Sequence, residues 1–460
     1  MDGGISMAVW NSINYTEIRP DRFDAEYFQP LYRINLKELK STSGCIQLGE
    51  LFAVIDRGEK AEYVASGTIP VLRSVNIREL SFNDQRQEFV SKEYFDKKAK
   101  GQVKKGDILI TSTGTGTLGR TSIWYREDDA FNVPENSFLR GPYEVNPYFV
   151  AAYLNTKYGV LQLFQNQRGS SGQLHLYPID IKRVLIPSFL FEYQEEIGQF
   201  LTQAFDLEEQ SQSLYHQAEE LLAKELKLDK LTLSQKKWYT ADFSELIASK
   251  RIDSSHYKNV YTNMYDFIHE HFTCKKIKQI VSVNRRGVQP IYSPQGDIIV
   301  VNSKHLSSTH IRYDLTERTT SKEYALQPQA QIKNGDVLIY TTGAYVGLTN
   351  AFNSQEAALA SNHVNILRLS DETIDPNYLA LVLNSVIGKL QTEKYSRGSA
   401  QLELYPFDID EFVIPIIDEG KMKEIGTLVR ESLISLNQSK ELLAKAKNRV
   451  EELIEQEAGK

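Results

Sequence analysis

The stretch GDILITSTGTGTLGR, residues 106–120, sets the organisation of this chain. The apolar and β-branched run Ile108–Thr111 favours a short strand, and the glycine-rich run Gly114–Gly119 after it is typical of a tight turn. A second stretch, GDVLIYTTGAYVGL at residues 335–348, repeats the same strand and turn. Whatever this element does is therefore done twice in one chain.

The turn invites comparison with a nucleotide-binding P-loop, and two observations argue against that function. Arg120 stands where the phosphate-binding lysine belongs, and the second copy breaks the P-loop spacing. A P-loop also opens a helix, whereas Thr121–Trp124 contains β-branched and aromatic residues that favour another strand. We expect a strand after the turn and no nucleotide site.

The composition is that of a globular protein with more than one domain. Its 460 residues exceed the roughly 250 to 300 that one core supports. No apolar run approaches the roughly 20 residues of a membrane span, and MDGGISMAVW has no export signal, so we expect a cytoplasmic protein without membrane contact. Cys45 and Cys274 are too few for a disulfide framework.

The formal net charge of −7 argues weakly against nucleic acid, because phosphate binding requires local positive charge. A basic face can coexist with acidic helices, and the segment Phe191–Leu228 is rich in glutamate. Net charge alone leaves the class of partner open.

An internal repeat relates the two halves of the chain, because matching motifs stand 228 or 229 residues apart. The matched pairs are Gly106 with Gly335, Arg168 with Arg397, Tyr177 with Tyr405, RFDAEYF from Arg22 with RIDSSHY from Arg251, and QLHLYPIDIKRVLIP from Gln173 with QLELYPFDIDEFVIP from Gln401. Each copy is long enough to be a whole domain with its connecting element.

Each copy orders strand-like segments with glycine turns, an amphipathic helix, a closing strand and a long helix. We therefore predict an α+β protein with two similar mixed α/β domains in tandem, separated by two long antiparallel coiled-coil helices with pseudo-two-fold symmetry. The predicted segments are domain 1 at 1–190, spacer helix 1 at 191–231, domain 2 at 232–416 and spacer helix 2 at 417–460.

The two spacer helices are predicted from apolar residues that recur every seventh position, the signature of a coiled-coil seam. These residues are Phe200, Leu207, Leu214, Leu221 and Leu228 in the first helix, and Met422, Val429, Leu436, Leu443 and Val450 in the second. We expect the two helices to pair with each other and to hold the domains apart.

Motifs that suggest catalysis are better explained by structure. Asn146–Phe149 resembles the loop with which amino-methyltransferases hold their target base, but the second proline of that loop is missing. An Asn or Asp cap with proline at the first helical position explains both this stretch and Asp375–Tyr378. His175 has Glu403 as its counterpart, so no shared catalytic histidine is indicated. We expect no catalytic residue and no metal site.

Two polar, glycine-containing segments, Arg168–Gln173 and Arg397–Gln401, are shared between the copies. Arginine, serine, backbone amides and glutamine suit phosphate and base-edge hydrogen bonds. A tight turn braced by glutamine explains the same residues equally well, and both interpretations stay open.

With these segments considered together, the sequence resembles the DNA specificity subunit of type I restriction-modification systems over essentially the whole chain. The resemblance implies two target-recognition domains that each read half of a split site in double-stranded DNA. It further implies a non-catalytic subunit, with no cofactor in this chain, that docks two methyltransferase subunits. S-adenosylmethionine, ATP and Mg²⁺ are expected on partner subunits, which can include restriction subunits, in a phage-defence complex.

The resemblance, with the internal comparison, ranks candidate DNA-binding residues. Positions shared by both copies suit phosphate contact or scaffolding, and positions that differ suit base readout. The shared candidates are Arg168, Gln173, Arg397 and Gln401. The differing candidates are Arg73, Asn76, Thr115, Thr117, Arg120 and His175 in the first copy, and Asn302, His305, Tyr345 and Glu403 in the second. A coiled-coil scaffold without DNA reading is the alternative function, and an independent nuclease or methyltransferase is a third.

Overall fold

The computed structural model describes residues 11–15, 18–84, 87–114, 116–169, 174–234, 236–398 and 401–459. Within them the chain divides into two compact units of mixed α and β structure. Unit 1 contains the described residues up to Glu208 together with those from Asn437 onward, and unit 2 is Glu209–Leu436. The division falls inside the two long helices, so each unit contains part of both.

Unit 1 is built from short strands and short helices that precede the first long helix. The strands are β1 Cys45–Gln47, β2 Phe52–Arg57, β3 Tyr63–Val64, β4 Ile69–Leu72, β5 Ile77–Arg78, β6 Ser81–Phe82, β7 Glu88–Val90, β8 Ile108–Thr111, β9 Thr121–Ile123, β10 Phe131–Asn132, β11 Asn136–Pro142 and β12 Leu185–Pro187. The helices are α1 Pro30–Ser41, α2 Leu48–Leu51, α3 Lys92–Lys97, α4 Pro147–Leu154, α5 Lys157–Gln165 and α6 Pro178–Ile181, followed by the long helix α7 Gln194–Glu225.

Two four-stranded sheets carry the candidate site of unit 1. One has the antiparallel order β2-β11-β8-β9, and the other has the order β10-β4-β7-β3 with β10 and β4 parallel. The sequence prediction of a strand after the glycine turn is confirmed, since Ile123 in β9 lies opposite Ile108 in β8. The buried side chains of Ile108, Leu109 and Ile110 belong to the main core of the unit.

Unit 2 repeats this plan. Its helices are α8 Phe243–Ser249, α9 Asn259–His271, α10 Ile277–Ile280, α11 Ser321–Leu326, α12 Pro376–Asn384, α13 Val386–Tyr395, α14 Pro406–Ile409 and, extending beyond the unit, α15 Glu419–Ala458. Its strands are β13 Thr273–Lys276, β14 Val281–Arg286, β15 Ile298–Val301, β16 Glu317–Thr319, β17 Gln331–Ile332, β18 Val337–Tyr340, β19 Thr349–Ala351, β20 Ala358–Ala360, β21 Val364–Leu369 and β22 Val413–Ile416.

The four-stranded sheets of unit 2 match those of unit 1 except at one edge. The order β14-β21-β18-β19 reproduces the first sheet, and β16-β15-β20 reproduces three strands of the second, again with one parallel pair. Unit 1 adds β3 beside β7, whereas unit 2 adds β17 beside β20. The repeat in the sequence therefore corresponds to a repeat in strand order.

Close backbone approach at one glycine couples the two sheets in each unit. A Cβ atom on Gly58 would lie 2.3 Å from the carbonyl oxygen of Asn132, and one on Gly287 would lie 2.0 Å from that of Ala360. Both distances are far below van der Waals contact, so only glycine allows the chain leaving β2 or β14 to pass this close.

The helix caps predicted from the sequence are confirmed. The side chain of Asn146 accepts the backbone N–H groups of Tyr148 and Phe149 at the start of α4. Asp375 accepts the N–H of Asn377 at the start of α12 in the same way. Proline occupies the first turn of both helices, so neither stretch needs a catalytic explanation.

Within unit 1 the two long helices run antiparallel. Arg449 of α15 donates to Glu196 of α7 at 3.2 Å, and Lys445 lies 4.3 Å from the ring centre of Phe200. Within unit 2 the hydroxyl groups of Ser211 and Ser432 lie 3.1 Å apart. All three contacts join α7 to α15.

The buried positions of α7 differ from the predicted stripe. Phe200, Leu207, Leu214 and Leu221 are only partly buried, and Leu228 follows the end of the helix. The buried positions are Ile197, Leu201, Ala204, Phe205, Ser211, Tyr215, Ala218 and Leu222. A seven-residue period is shared by every heptad position, so it does not identify the position that faces the core.

In α15 the stripe Met422, Val429 and Val450 is buried, with Leu436 and Leu443 partly buried. The second line of buried residues, absent from the prediction, is Ile425, Ser432, Ser439, Ala446 and Leu453. These residues alternate with the predicted ones at spacings of three and four, as the two inner positions of a heptad do.

Candidate nucleic-acid interface

The glycine turn of unit 1 is folded back on the strand before it. Arg120 donates its backbone N–H to Thr117 O at 3.3 Å and to Thr111 Oγ1 at 3.0 Å, and Gly119 donates to Thr111 O at 2.8 Å. Gly114, Gly116 and Gly119 all have positive φ, between 78° and 124°. Glycine adopts these angles without strain, which explains why this segment contains so many glycines.

The turn lies against His175 and Leu176, next to what we call the Arg-Gly segment, which is Arg168–Gly169 in unit 1 and Arg397–Gly398 in unit 2. His175 pairs with both Thr113 and Arg168 in isolated antiparallel bridges, and Leu176 donates its N–H to Ser112 O at 2.9 Å. Glu403 of unit 2 pairs in the same way with Thr342 and Arg397. Each unit therefore brings the glycine turn and the Arg-Gly segment together at one end of the first sheet.

The repeated Gly-Asp dipeptide at the start of β8 and β18 is a structural element. Asp107 is 2% exposed and accepts from Arg140 Nε at 2.9 Å and from the N–H of Lys104 at 2.8 Å. Asp336 makes the equivalent contacts with Arg368 and Lys333 in unit 2. The motif that first revealed the repeat anchors the strand that carries the turn.

The shared arginines of the Arg-Gly segments are held by buried carboxylates. Arg168 donates to Asp180 through Nη2 at 2.6 Å and Nε at 2.8 Å, and Arg397 donates through Nη2 to Asp408 at 2.8 Å. Asp180 is 0% exposed. Since a buried carboxylate requires a charged partner, these contacts favour the bracing interpretation of both arginines.

Asn76 and His305, which are equivalent candidates that differ between the units, accept the same backbone hydrogen bond through different side chains. Asn76 accepts the backbone N–H of Arg73 through Oδ1 at 3.1 Å, and His305 accepts that of Asn302 through Nδ1 at 2.9 Å. Asn76 and His305 are both 0% exposed. Full burial favours loop bracing over base contact for these two residues, and their assignment to readout stays a prediction.

The paired candidates Arg73 and Asn302 each contact a glutamate of their own unit. Arg73 lies 3.2 Å from Glu88, and Asn302 donates to Glu317 at 2.7 Å. The two carboxylates occupy equivalent positions of the repeat. Both candidates are half-buried and engaged within their own unit.

The remaining candidates lie at the turn or beside it. Arg120 donates through Nη2 to Gly116 O at 3.1 Å, and its charge, second to burial, lowers the pKa of Arg78. Thr117 is half-buried, Gln401 is exposed, and Tyr345 is 60% exposed at the tip of the turn in unit 2. Candidates Thr115 and Gln173 fall outside the described residues.

The sequence reasoning missed an arginine that ends the edge strand of the first sheet in both units. Arg57 ends β2, with its guanidinium carbon 5.0 Å from the ring centre of Tyr177, and Arg286 ends β14, 4.8 Å from that of Tyr405. The available signal was the Arg-Gly dipeptide at 57–58 and 286–287, which lies at the repeat spacing.

The arginines of the RFD and RID motifs bind the carboxyl end of a helix in each unit. Arg22 is 3% exposed and donates to Asp24 and to the carbonyl oxygens of Gln165 and Gln167 at the end of α5. Arg251 makes the same arrangement at the end of α13. A cation at the carboxyl end of a helix is favoured by the helix dipole.

Within the described ranges no cluster of three or more histidine, cysteine, aspartate or glutamate side chains could hold a metal ion. No helix in the same ranges combines the length and apolarity that crossing a membrane requires.

Comparison with known proteins gives similarity in fold only. No protein-family model and no curated protein sequence matches the chain. The type I restriction-modification S subunit from M. genitalium is 14% identical over 90% of this chain and 95% of its own, with a TM-score of 0.47. The HsdS subunit from Thermoanaerobacter tengcongensis is 15% identical over 90% and 95%, with a TM-score of 0.27.

A third structure comes from work on the structural basis of complex assembly and conformational transition of the type I R-M system. It is 14% identical, the alignment covers 90% of this chain and 97% of that one, and the TM-score is 0.29. Each of the three alignments covers 90% of this chain.

Proposed function

We propose that this chain is a sequence-specific DNA-binding specificity subunit that recognises a bipartite site and directs the methyltransferase and restriction subunits of a type I restriction-modification complex. The observation that carries the proposal is the duplication of one site within one chain. Each unit presents a glycine turn, a braced Arg-Gly segment and a strand-end arginine in the same arrangement. Two such sites suit two half-sites on one duplex.

The local chemistry of the site suits this function. In unit 1, Arg120 lies at the turn and its charge acts on Arg78, while Arg57 contacts Tyr177; among the described residues none of the three forms an ion pair with a carboxylate. Guanidinium groups bind phosphates and the guanine edge in bidentate fashion. Positive charge concentrated at the turn reconciles DNA binding with a net charge of −7.

The two long helices are proposed as the spacer between tandem target-recognition domains. Within unit 1, the contacts of Glu196 with Arg449 and of Phe200 with Lys445 support an antiparallel pair. Such a pair has a fixed length, so it would set the gap between half-sites and offer its outer faces to two methyltransferase subunits. The cofactors S-adenosylmethionine, ATP and Mg²⁺ would then act on partner subunits, which can include restriction subunits.

The test is methylation mapping by long-read sequencing in a host that carries this chain together with a methyltransferase subunit that it directs. We expect a split methylation motif that appears only when this gene is intact. Exchange of residues 1–190 for those of a chain with another specificity should change one half of the motif and leave the other half and the gap unchanged.

A point substitution sharpens this test. Tyr345→Ala, at the exposed tip of the turn in unit 2, should relax one half of the motif, and Thr117→Ala, at the turn in unit 1, the other. If the expressed methyltransferase is active but no motif depends on this gene, the proposal fails. Methyltransferase binding without DNA binding would then favour a coiled-coil scaffold.

A further inference from the structure

The strand-end arginine has different surroundings in the two units, although its position is the same. Arg57 and Arg286 each end the equivalent strand, each precede the glycine of close backbone approach, and each lie over the ring of a tyrosine. The repeat thus provides two versions of one local structure whose differences can be compared directly.

In unit 2 the guanidinium of Arg286 binds a carboxylate of the same unit. Arg286 donates through Nη1 to Glu403 Oε1 at 2.7 Å and through Nη2 to Leu404 O at 2.8 Å. The hydroxyl of Tyr405 donates to the other oxygen of Glu403. The hydrogen bond from Tyr405 and, secondly, the one from Arg286 lower the pKa of Glu403, which keeps it ionised.

In unit 1 histidine stands in place of that glutamate. His175 has the backbone partners equivalent to those of Glu403, and its Nδ1 lies 3.2 Å from Thr113 Oγ1. Nε and Nη2 of Arg57 are buried without a hydrogen-bond partner among the described residues, whereas in Arg286 only Nε is. Residues 170–173, Ser-Ser-Gly-Gln, contain no carboxylate.

A buried guanidinium N–H without an acceptor is unfavourable, because its lost hydration is not replaced. The planar fork of arginine fits carboxylate and phosphate oxygens alike. Unit 2 therefore contains a filled oxyanion receptor, and unit 1 contains the same receptor without its internal carboxylate.

We infer that Arg57 binds a phosphate group, supplied by the DNA backbone, and that Glu403 is an internal carboxylate that occupies the equivalent place on Arg286. This inference rests on the proposed function for the source of the phosphate. Its consequence is an asymmetric complex, in which unit 1 makes a phosphate contact that unit 2 does not make.

The experiment measures how the affinity of the full chain, assembled with its methyltransferase subunits, for a duplex without the target site depends on salt. Each phosphate contact contributes about 0.9 to the slope of log K against log salt. Arg57→Gln and His175→Glu should each reduce the slope by about 0.9, because one removes the receptor and the other fills it. Glu403→His should increase the slope by the same amount.

The matched control is the double variant Arg286→Gln with Glu403→Gln, which removes a pair that is already closed. Its slope should equal that of the wild type. Between 50 and 200 mM salt, one contact corresponds to about a 3.5-fold difference in the loss of affinity. Melting temperatures of all variants identify any that fail to fold. If Arg57→Gln and His175→Glu both fold, their slopes must decrease by the same amount.

A second arm separates this inference from the proposed function by using inorganic phosphate in place of DNA. At constant ionic strength, phosphate should raise the melting temperature of the wild type more than that of Arg57→Gln or His175→Glu. If phosphate protects through Arg57 while the wild type fails to bind DNA, the anion site stands and the proposed function fails. Slopes unchanged by Arg57→Gln and His175→Glu, with no protection by phosphate, would overturn the inference.

Discussion

Replacement of Asp107 by asparagine should destabilise unit 1 and leave unit 2 intact. The carboxylate accepts from the side chain of Arg140 and from the N–H of Lys104, and it is 2% exposed. Removing one member of a buried ion pair costs about 3 to 5 kcal/mol. Because the side chain of Arg140 is 20% exposed, water partly compensates, and we expect a loss near the lower end, about 3 kcal/mol.

The measurement is native-state hydrogen exchange followed by fragment mass spectrometry. Amides of Ile108–Ile110 should open with a free energy about 3 kcal/mol lower than in the wild type, which is roughly a 150-fold faster exchange. Asp336→Asn is the matched control, because Asp336 is 1% exposed and bound by Arg368 in unit 2. It should produce the opposite pattern.

Two results would contradict this reasoning. A loss of less than about 1 kcal/mol would place the Asp107 pair among weak surface ion pairs. An equal loss in both units would show that they do not unfold separately. Addition of Arg140→Gln to Asp107→Asn should recover part of the stability, since no unpaired charge then remains buried.

Three further outcomes follow from single contacts. Arg22→Ala should lower the free energy of unfolding of unit 1 by about 3 kcal/mol, measured in urea, because the carbonyl groups at the end of α5 lose their donor. Burial lowers the pKa of His256 below its usual 6.5, so its contribution to stability is complete above pH 6.5 and is lost as pH falls toward its folded pKa; His256→Asn should flatten the stability profile measured between pH 7 and 5. Gly58→Ala should prevent the close approach to Asn132 and lower the yield of folded protein, whereas Gly106→Ala, whose Cβ would meet no atom within 4 Å, should cost only the strain of alanine at a φ of 88°.

Local chemistry made some features of this fold predictable from the sequence. The strand after the glycine turn followed from the β-branched residues at Thr121 and Ile123, and the cap at Asn146 followed from the Asn-Pro pair. Each of these depends on residues within four positions of one another. Such local signals can be read without knowing which distant parts of the chain meet.

Features that depend on distant contacts were not predictable in this way. Asn76 and His305 differ in the sequence but accept the backbone N–H of equivalent residues in the two units. Only the fold reveals that the two side chains make the same contact. Arg57 acquires its environment from Tyr177, 120 positions away, through strand placement that no local pattern specifies. Difference between repeats is therefore an incomplete guide to readout.

The way α15 completes unit 1 has a consequence for the order in which this protein is made. The core of unit 1 includes Ala446, Val450, Leu453 and Ile454, which the ribosome adds after all of unit 2. Unit 2 is continuous in the chain, so it can close while synthesis continues, whereas the first half of α7 must wait with an apolar face uncovered. The unit that is translated first is thus the last to complete its core. A stop codon far downstream, before the end of α15, would leave that core incomplete.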